Sequence, residues 1–307
     1  MTLSNTTLSI VIPTYKRPDA LRRAIASVRD ERVDGLDIEI VIADNDPAGS
    51  AKETAAELTD TYEVPVIYTH VPEPGVSNAR NGALEIATGR YILFLDDDME
   101  ALAPWAQSMI DAANRFDAAL VFGPVKAVMP EAGNPVYEYM QPLFSRKFSQ
   151  EDGLIDRGIG SGNCLIDREN LTLPCPPFNP ELNKTGGEDD HLFRQLEHQG
   201  VRIAWTNAAK TYEHVPAHRA NLSYVWRRNF AFGQAPTQES ADLGWRGIPG
   251  ILKWMFVGLA QIVIYGTLLA LSKLRRKPDA VRYWGRLAQA FGKVIWTERV
   301  SPKFYGI

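Results

Sequence analysis

Short apolar runs alternate with amphipathic stretches through the first 125 residues. Leu8–Ile12 reads as a buried strand stopped by Pro13, and Pro18–Arg29 then sets Leu21, Ala24, Ile25 and Val28 on one helical face. Asp37–Ala43 (DIEIVIA) reads as a second strand, Ser50–Leu58 as a helix, Val64–Tyr68 as a third strand and Ser77–Ala87 as a helix. Tyr91–Leu95 is a fourth strand, Pro104–Phe116 a helix, and Ala118–Phe122 is apolar again. Strands alternating with helices of this length predict an α/β fold, a mostly parallel sheet flanked by helices. Residues 126–185 are less regular, after which Gly187–Gln199 reads as a helix and Val201–Trp205 as a strand. The last third is helical in pattern, and no period of 20–50 residues recurs, which excludes solenoids and propellers.

Composition adds three constraints. With 307 residues, 45% hydrophobic and 23% charged, the chain can build a large core and is not a disordered sequence. Its two cysteines, Cys164 and Cys175, have no metal-ligand spacing and read as reduced cytosolic thiols. Met1–Ser9 lacks the basic and apolar regions of a signal peptide, so the expectation is a cytosolic catalytic part. The net charge of −4 divides unevenly: residues 245–307 hold 11 Lys+Arg against 2 Asp+Glu, a net of +9, and the remainder is at −13. A tail both basic and apolar points to a membrane surface and not to nucleic acid.

In doubly wound sheets ligands bind beyond the carboxyl ends of the strands. There this sequence places Pro13, Thr14, Tyr15, Lys16 and Arg17 after the first strand, Asp44, Asn45 and Asp46 after the second, and Asp96, Asp97 and Asp98 after the fourth. Three adjacent carboxylates repel one another, and a divalent cation with a preference for hard oxygen ligands would relieve that cost. A solvated acidic loop or a helix cap is the plainer explanation of the same triplet. Gly186-Gly187-Glu188-Asp189-Asp190 opens the helix with Leu192, Phe193 and Leu196. Its acids fit helix capping, or a general base for an acceptor hydroxyl.

The ordered set IVIPTYKRP, EIVIADND, PGVSNARNGALEIATGRYILFLDDDM and GGEDDHLFRQLEHQG, over roughly Leu8 to His214, resembles family 2 of the inverting glycosyltransferases with the GT-A fold, and bacterial exopolysaccharide enzymes of the succinoglycan or holdfast type within it. The resemblance implies a nucleotide-sugar donor and a metal, Mn²⁺ or Mg²⁺. It implies that Pro13, Tyr15 and Arg17 line the nucleoside pocket and that Asp44 hydrogen-bonds a uracil. Arg80 would lie near the donor base or phosphates, and Asp96 and Asp97 near ribose and sugar. Asp98, last of the D-x-D motif, would bind the metal; Asp189 would be the catalytic base, with Glu188 holding the acceptor. His214 is a further candidate ligand, with a purely structural histidine as the alternative. The Q-x-x-R-W motif of processive synthases is absent; its nearest counterpart is Tyr224-Val225-Trp226-Arg227-Arg228, whose arginines could reach the diphosphate. One sugar added per acceptor is therefore expected. Gly158-Ile159-Gly160-Ser161-Gly162 lacks the following helix of a dinucleotide fingerprint and reads as an acceptor-side turn.

Trp254–Leu271 is 18 residues without a charge, the lower limit for a membrane span. Basic residues follow it more densely than they precede it, which would place the C-terminus inside and strand the catalytic part outside. A helix in the interface, or a re-entrant one, avoids that conflict. Val281, Trp284, Leu287, Ala288, Phe291 and Val294 then form one helical face, with Arg282, Arg286, Gln289 and Lys293 on the other, suited to an anionic bilayer. Core packing or a homodimer interface is the alternative. The expected organisation is a catalytic domain at 1–220, with a nucleotide half at 1–125 and an acceptor half at 126–220, and a membrane-associating region at 221–307. The expected setting is the cytoplasmic face of a bacterial inner membrane, with a lipid-linked oligosaccharide as acceptor. Competing classes are a sugar nucleotidyltransferase, whose glycine-rich lysine loop PTYKRP does not match, and a non-catalytic nucleotide- or glycan-binding scaffold.

Overall fold

The computed structural model describes residues 7–147, 151–183, 186–275 and 280–302. Within it, β1 (Thr7–Thr14), α1 (Pro18–Val28), β2 (Asp37–Asp44), α2 (Lys52–Thr61), β3 (Val66–His70), α3 (Val76–Ile86) and β4 (Tyr91–Leu95) alternate as the sequence pattern predicts. There follow β5 (Met99–Ala101), α4 (Trp105–Phe116), β6 (Leu120–Phe122), β7 (Val125–Val128), α5 (Pro135–Phe144), β8 (Gly153–Ile155) and β9 (Asn163–Asp167). The chain continues through α6 (Glu188–His198), β10 (Ile203–Trp205), β11 (Thr211–His214), α7 (Leu222–Asp242), α8 (Ile248–Leu274) and α9 (Ala280–Val294). It divides into two compact units, one built from the described segments up to Ala127 and from Ser145 to His214, the other from Val128–Phe144 and the described residues from Val215 on.

The first unit is a mixed, mostly parallel eight-stranded sheet in the order β3-β2-β1-β4-β9-β6-β10-β8, beside a three-stranded sheet β5-β11-β7. β1 pairs in parallel with β2 and β4, β2 with β3, and β6 with β10. β9 runs antiparallel between β4 and β6, and β8 antiparallel on β10. This is a GT-A-like α/β architecture. The central strands are apolar on both faces because helices cover both. Leu8, Ile10, Ile12, Ile40, Ile42, Leu93 and Leu95 face α1, α2 and α4, while Val11, Val41, Ala43, Ile92 and Phe94 face α3 and α6. Each such Leu or Ile, fully removed from water, contributes about 1.5–3 kcal/mol.

Differences from the sequence pattern have local causes. The third strand starts at Val66, not Val64, because Pro65 has no N–H to donate and offers only its carbonyl to Ile40 N. The irregular stretch 126–185 contains β7, β8 and β9, strands of three to five residues that are too short to show a period. α9 was expected to lay its apolar face on a bilayer, with core packing as the alternative. It packs on protein at least in part: Gly285, Ala288, Ala290 and Gly292 are buried, and Trp284 and Phe291 lie against Trp226 of α7, with centroids 4.4 and 6.1 Å apart. Of that face only Ala288 is fully buried, and Val281, Trp284, Leu287, Phe291 and Val294 are half-buried.

α4 begins after a proline and has no local side-chain cap. Its first amides are satisfied from far along the chain: buried Glu31 accepts from Trp105 N at 3.2 Å and Ala106 N at 3.0 Å. A carboxylate at a helix N-terminus is favoured both by the hydrogen bonds and by the dipole. Glu31→Ala should lower the unfolding free energy by about 1–3 kcal/mol in urea titration. Glu57→Ala, which removes an exposed pair with Arg22, should change it by less than about 1 kcal/mol.

Candidate active site

The polar residues at the strand ends gather because β2, β1, β4 and β9 are neighbours. Thr14 pairs in register with Asp44, and Leu95 with Asn163. The turn Asp96–Asp98, closed by Met99 N donating to Asp96 O at 3.0 Å, therefore sits beside the tip of β1 and the loop leading into β9.

Arg17, just before α1, donates to Asp97 Oδ1 at 3.0 Å and to Asp98 Oδ2 at 2.9 Å. Thr14 donates its hydroxyl to Asp97 Oδ2 at 2.8 Å. Burial nonetheless pushes the Asp97 carboxyl up to about 6, because desolvation outweighs the pull of Arg17 and Asp98 adds repulsion. Asp96 and Glu188 share Arg80, which is 5% exposed: one guanidinium nitrogen donates to Glu188 and another reaches Asp96 Oδ1 at 3.4 Å. The guanidinium also lies 5.4 Å over the Phe178 ring. Burial raises the Glu188 carboxyl, with Arg80 opposing it. Neighbouring Ser77 and Asn81 hold the segment leading to α6: Asn81 exchanges hydrogen bonds with the Phe178 backbone at 2.8 and 2.9 Å, and Ser77 Oγ donates to Asn179 O at 2.9 Å.

Asp189, in the first turn of α6, is half-buried. Its Oδ2 accepts from Ser161 N at 3.2 Å and its Oδ1 from Asp190 N at 2.8 Å. The loop supplying Ser161 is clamped by Arg146, which donates to the carbonyls of Ile159, of Gly160 at 2.7 Å and of Asn163 at 3.2 Å. Gly160 has φ +58°, and a Cβ there would lie 2.8 Å from the Arg146 guanidinium. A Cβ on Gly162 would lie 2.4 Å from Asp96 Oδ2. The Gly158–Gly162 turn thus packs against both acidic groups, on Asp189 at Gly160 and on Asp96 at Gly162. Asn163, fully buried, anchors it by accepting from Trp105 Nε1 at 2.8 Å and donating to Ala209 O at 2.9 Å.

Pro13 and exposed Tyr15 lie at the same strand tip, with the Lys16 ammonium 5.0 Å over the Tyr15 ring. Asp44 is fully buried and accepts from Asp46 N at 3.0 Å, Ala51 N at 2.7 Å and Tyr68 OH at 3.1 Å. The expected uracil contact therefore concerns a carboxylate already engaged with three donors. Burial, then Asp44, pushes the Tyr68 phenol up to about 12. Arg227 and Arg228 belong to the second unit, where Arg228 stacks over Phe144 at 4.9 Å and Phe232 at 5.5 Å.

β11 lies antiparallel to β5, so His214 N donates to Asp98 O at 2.8 Å. Its Nε2 is 2.8 Å from Glu100 Oε1, yet out of line for a hydrogen bond. Among the described residues no three His, Cys, Asp or Glu side chains converge to cage a metal. The donor chemistry at this point, the Asp98 carboxylate and the His214 imidazole joined by that backbone hydrogen bond, is of the kind that would hold a divalent ion.

The sequence profile of glycosyl transferase family 2 matches residues 9–172. The chain belongs to that family. Among family members and neighbours, the succinoglycan biosynthesis protein ExoM of Rhizobium meliloti is 32% identical over 230 residues, 74% of this chain and 73% of the relative. The UDP-Glc:alpha-D-GlcNAc-diphosphoundecaprenol beta-1,3-glucosyltransferase WfgD of Escherichia coli is 25% identical over 190 residues, 62% of this chain and 69% of the relative. A crystal structure of GalNAc-T7 with UDP, GalNAc and Mn²⁺ matches with a TM-score of 0.53 at 16% identity, covering 76% of this chain and 51% of the other. This family-2 chain thus spans about half the length of that structural neighbour and shares its fold.

Residue reading placed Thr14 at the strand tip without a role and missed two supports of the site. Asn163 carries no signal beyond standing before an apolar run, and Arg146 lies in the irregular stretch without any signal. Asp97 provides a test of the site's electrostatics. Its folded value of about 6 exceeds the unfolded 3.8, so between them the folded chain keeps a proton that the unfolded chain has lost. Stability contributed by this group is greatest below about pH 4 and falls by about 3 kcal/mol as pH rises through 6. Urea titrations from pH 4 to 7 in EDTA should show that decline in wild type and a flatter profile in Asp97→Asn.

Proposed function

We propose that this family-2 glycosyltransferase moves a single sugar from a UDP-sugar to a glycan acceptor carried on a polyprenyl diphosphate, in extracellular polysaccharide assembly at the cytoplasmic face of a membrane. The observation that carries this reading is the placement of Asp189. Its carboxylate is oriented by two backbone N–H groups, one of them from the Gly160–Gly162 turn that also touches Asp96, and its neighbour Glu188 shares Arg80 with Asp96. A base so held can take the acceptor hydroxyl proton as that oxygen attacks the anomeric carbon. The bond to the diphosphate breaks on the opposite face, its electron pair leaves with the nucleotide, and configuration inverts. Glu188, held by Arg80, orients the acceptor, and Pro13, Tyr15 and Arg17 form the nucleoside side of the site.

Charge supports a cation here. Asp96, Asp97, Asp98, Glu188 and Asp189 meet the guanidiniums of Arg17, Arg80 and Arg146, an excess of two negative charges within this set. Asp98, with His214 beside it, would hold Mn²⁺ or Mg²⁺, which when bound neutralises charge on the departing diphosphate. The names of the succinoglycan and diphosphoundecaprenol relatives support the pathway and the lipid-linked acceptor.

Calorimetry with UDP, GDP, dTDP and CMP tests the donor site. UDP should bind at least about tenfold more tightly with Mn²⁺ than in EDTA, a gain of about 1.4 kcal/mol that Asp98→Ala removes. Metal-dependent binding of another nucleotide would change the donor. No binding by folded protein would favour a scaffold without a donor site.

A further inference from the structure

α8 carries the longest apolar stretch of the chain. Eighteen of its residues have a mean hydropathy of 1.9, and only 17% of them are buried. At about 1.5 Å per residue its 27 residues extend about 40 Å, enough to cross a bilayer. Its packing argues against crossing.

Leu252, Phe256, Leu259 and Val263 are exposed at spacings of three and four, which places them on one stripe, and exposed Ile264 and Leu271 widen it on one side. Thr267 on that stripe donates its hydroxyl to Val263 O at 2.8 Å, so the stripe carries no free donor there. The opposite side is pressed on α9. A Cβ on Gly258 would lie 2.8 Å from Val294 and 2.9 Å from Ala290 O, while Lys273 sits 5.8 Å over the Trp284 ring. α9 therefore runs antiparallel beside α8 from the level of Gly258 to that of Lys273. It carries exposed Arg282 and Arg286, with Gln289 and Lys293 between it and its neighbours. α7 backs α9 with polar side chains: Gln289 Nε2 donates to Asn229 Oδ1 at 2.8 Å, Thr237 Oγ1 to Lys293 O at 3.0 Å and Gln234 Nε2 to Ile295 O at 2.9 Å. If α8 spanned the hydrocarbon, this flank would enter it too, carrying Gln289 and its polar contacts with α7 to mid-depth, where polar groups are costly. Lying flat carries no such cost. Arg246, Lys253, Lys273 and Arg275 at the two ends of α8 would then all reach the same headgroup layer, with exposed Trp245 at its level.

We propose that α8 lies in the plane of an anionic leaflet, its Leu252–Leu271 stripe toward the acyl chains, without crossing the membrane. The proposal takes from the function above only the expectation of work at a membrane.

Leu252, Val263 and Leu274 are exposed and spaced by 11 residues, which returns to the same helix face. Leu252→Cys, Val263→Cys and Leu274→Cys, each in a full-length Cys175→Ser chain, can carry a fluorophore, since Cys164 is buried. Vesicles of phosphatidylcholine alone, or with phosphatidylglycerol, and with lipids spin-labelled at the headgroup or mid-chain, report depth. Neither donor nor acceptor is present, and UDP binding by the same preparations separates a failed donor site from a failed membrane proposal. Binding at least tenfold tighter to the anionic vesicles, with the three labels at equal shallow depth, is expected. Val263→Glu should weaken that binding at least tenfold while leaving the circular dichroism unchanged. A deep label at 263 between shallow ones at 252 and 274 would mean a span and overturn the proposal. So would a failure to bind vesicles with the labels shielded in a dimer, which would give the stripe to a second copy.

Discussion

Like charges brought together in a partly buried place are the constraint around which the first unit is organised. Five carboxylates meet at the carboxyl edge of the sheet, and each is held by a donor that the surrounding fold supplies. Arg17 bridges Asp97 and Asp98, Arg80 bridges Asp96 and Glu188, and backbone amides fix Asp189. The scaffold behind them is built to keep these donors in place. Ser77 and Asn81 tie α3 to the segment that enters α6, and Arg146 and Asn163 stiffen the loop that enters β9. A site of this kind favours cations and developing charge because its electrostatics are assembled before any ligand arrives.

Much of this was legible in the sequence because strand ends reveal themselves. An apolar run that stops in Asp96-Asp97-Asp98, or in Asp44-Asn45-Asp46, states both the strand and the chemistry at its tip. The glycine pair before Glu188 likewise marks the start of α6. Supports contributed across long separations were not legible. Glu31 caps α4 from more than 70 positions away, and Arg146 finds its carbonyl partners only once β9 has folded back between β4 and β6. Periodicity reports which face is buried, not which distant group fills it. Asp44 shows the same limit: its position was readable, but not that three donors already surround it.

The second unit shows how a pattern can be right and its partner reassigned. α9 has the amphipathic face its sequence announces, yet small residues let α7 approach so closely that a Cβ on Gly233 would lie 2.1 Å from Gln289 O. That contact is made by α9's polar side, its apolar side stays half-buried, and α8 carries the exposed stripe.

The central claim is that Asp189 removes the acceptor proton at a site whose donor half is independent of it. Transfer of radiolabelled sugar from the bound nucleotide sugar to lipid extract, measured for wild type and Asp189→Asn under single-turnover conditions, tests it most directly. The account predicts a loss of at least about a thousandfold in transfer with nucleotide affinity changed less than about threefold. Transfer within tenfold of wild type would contradict it and require another base.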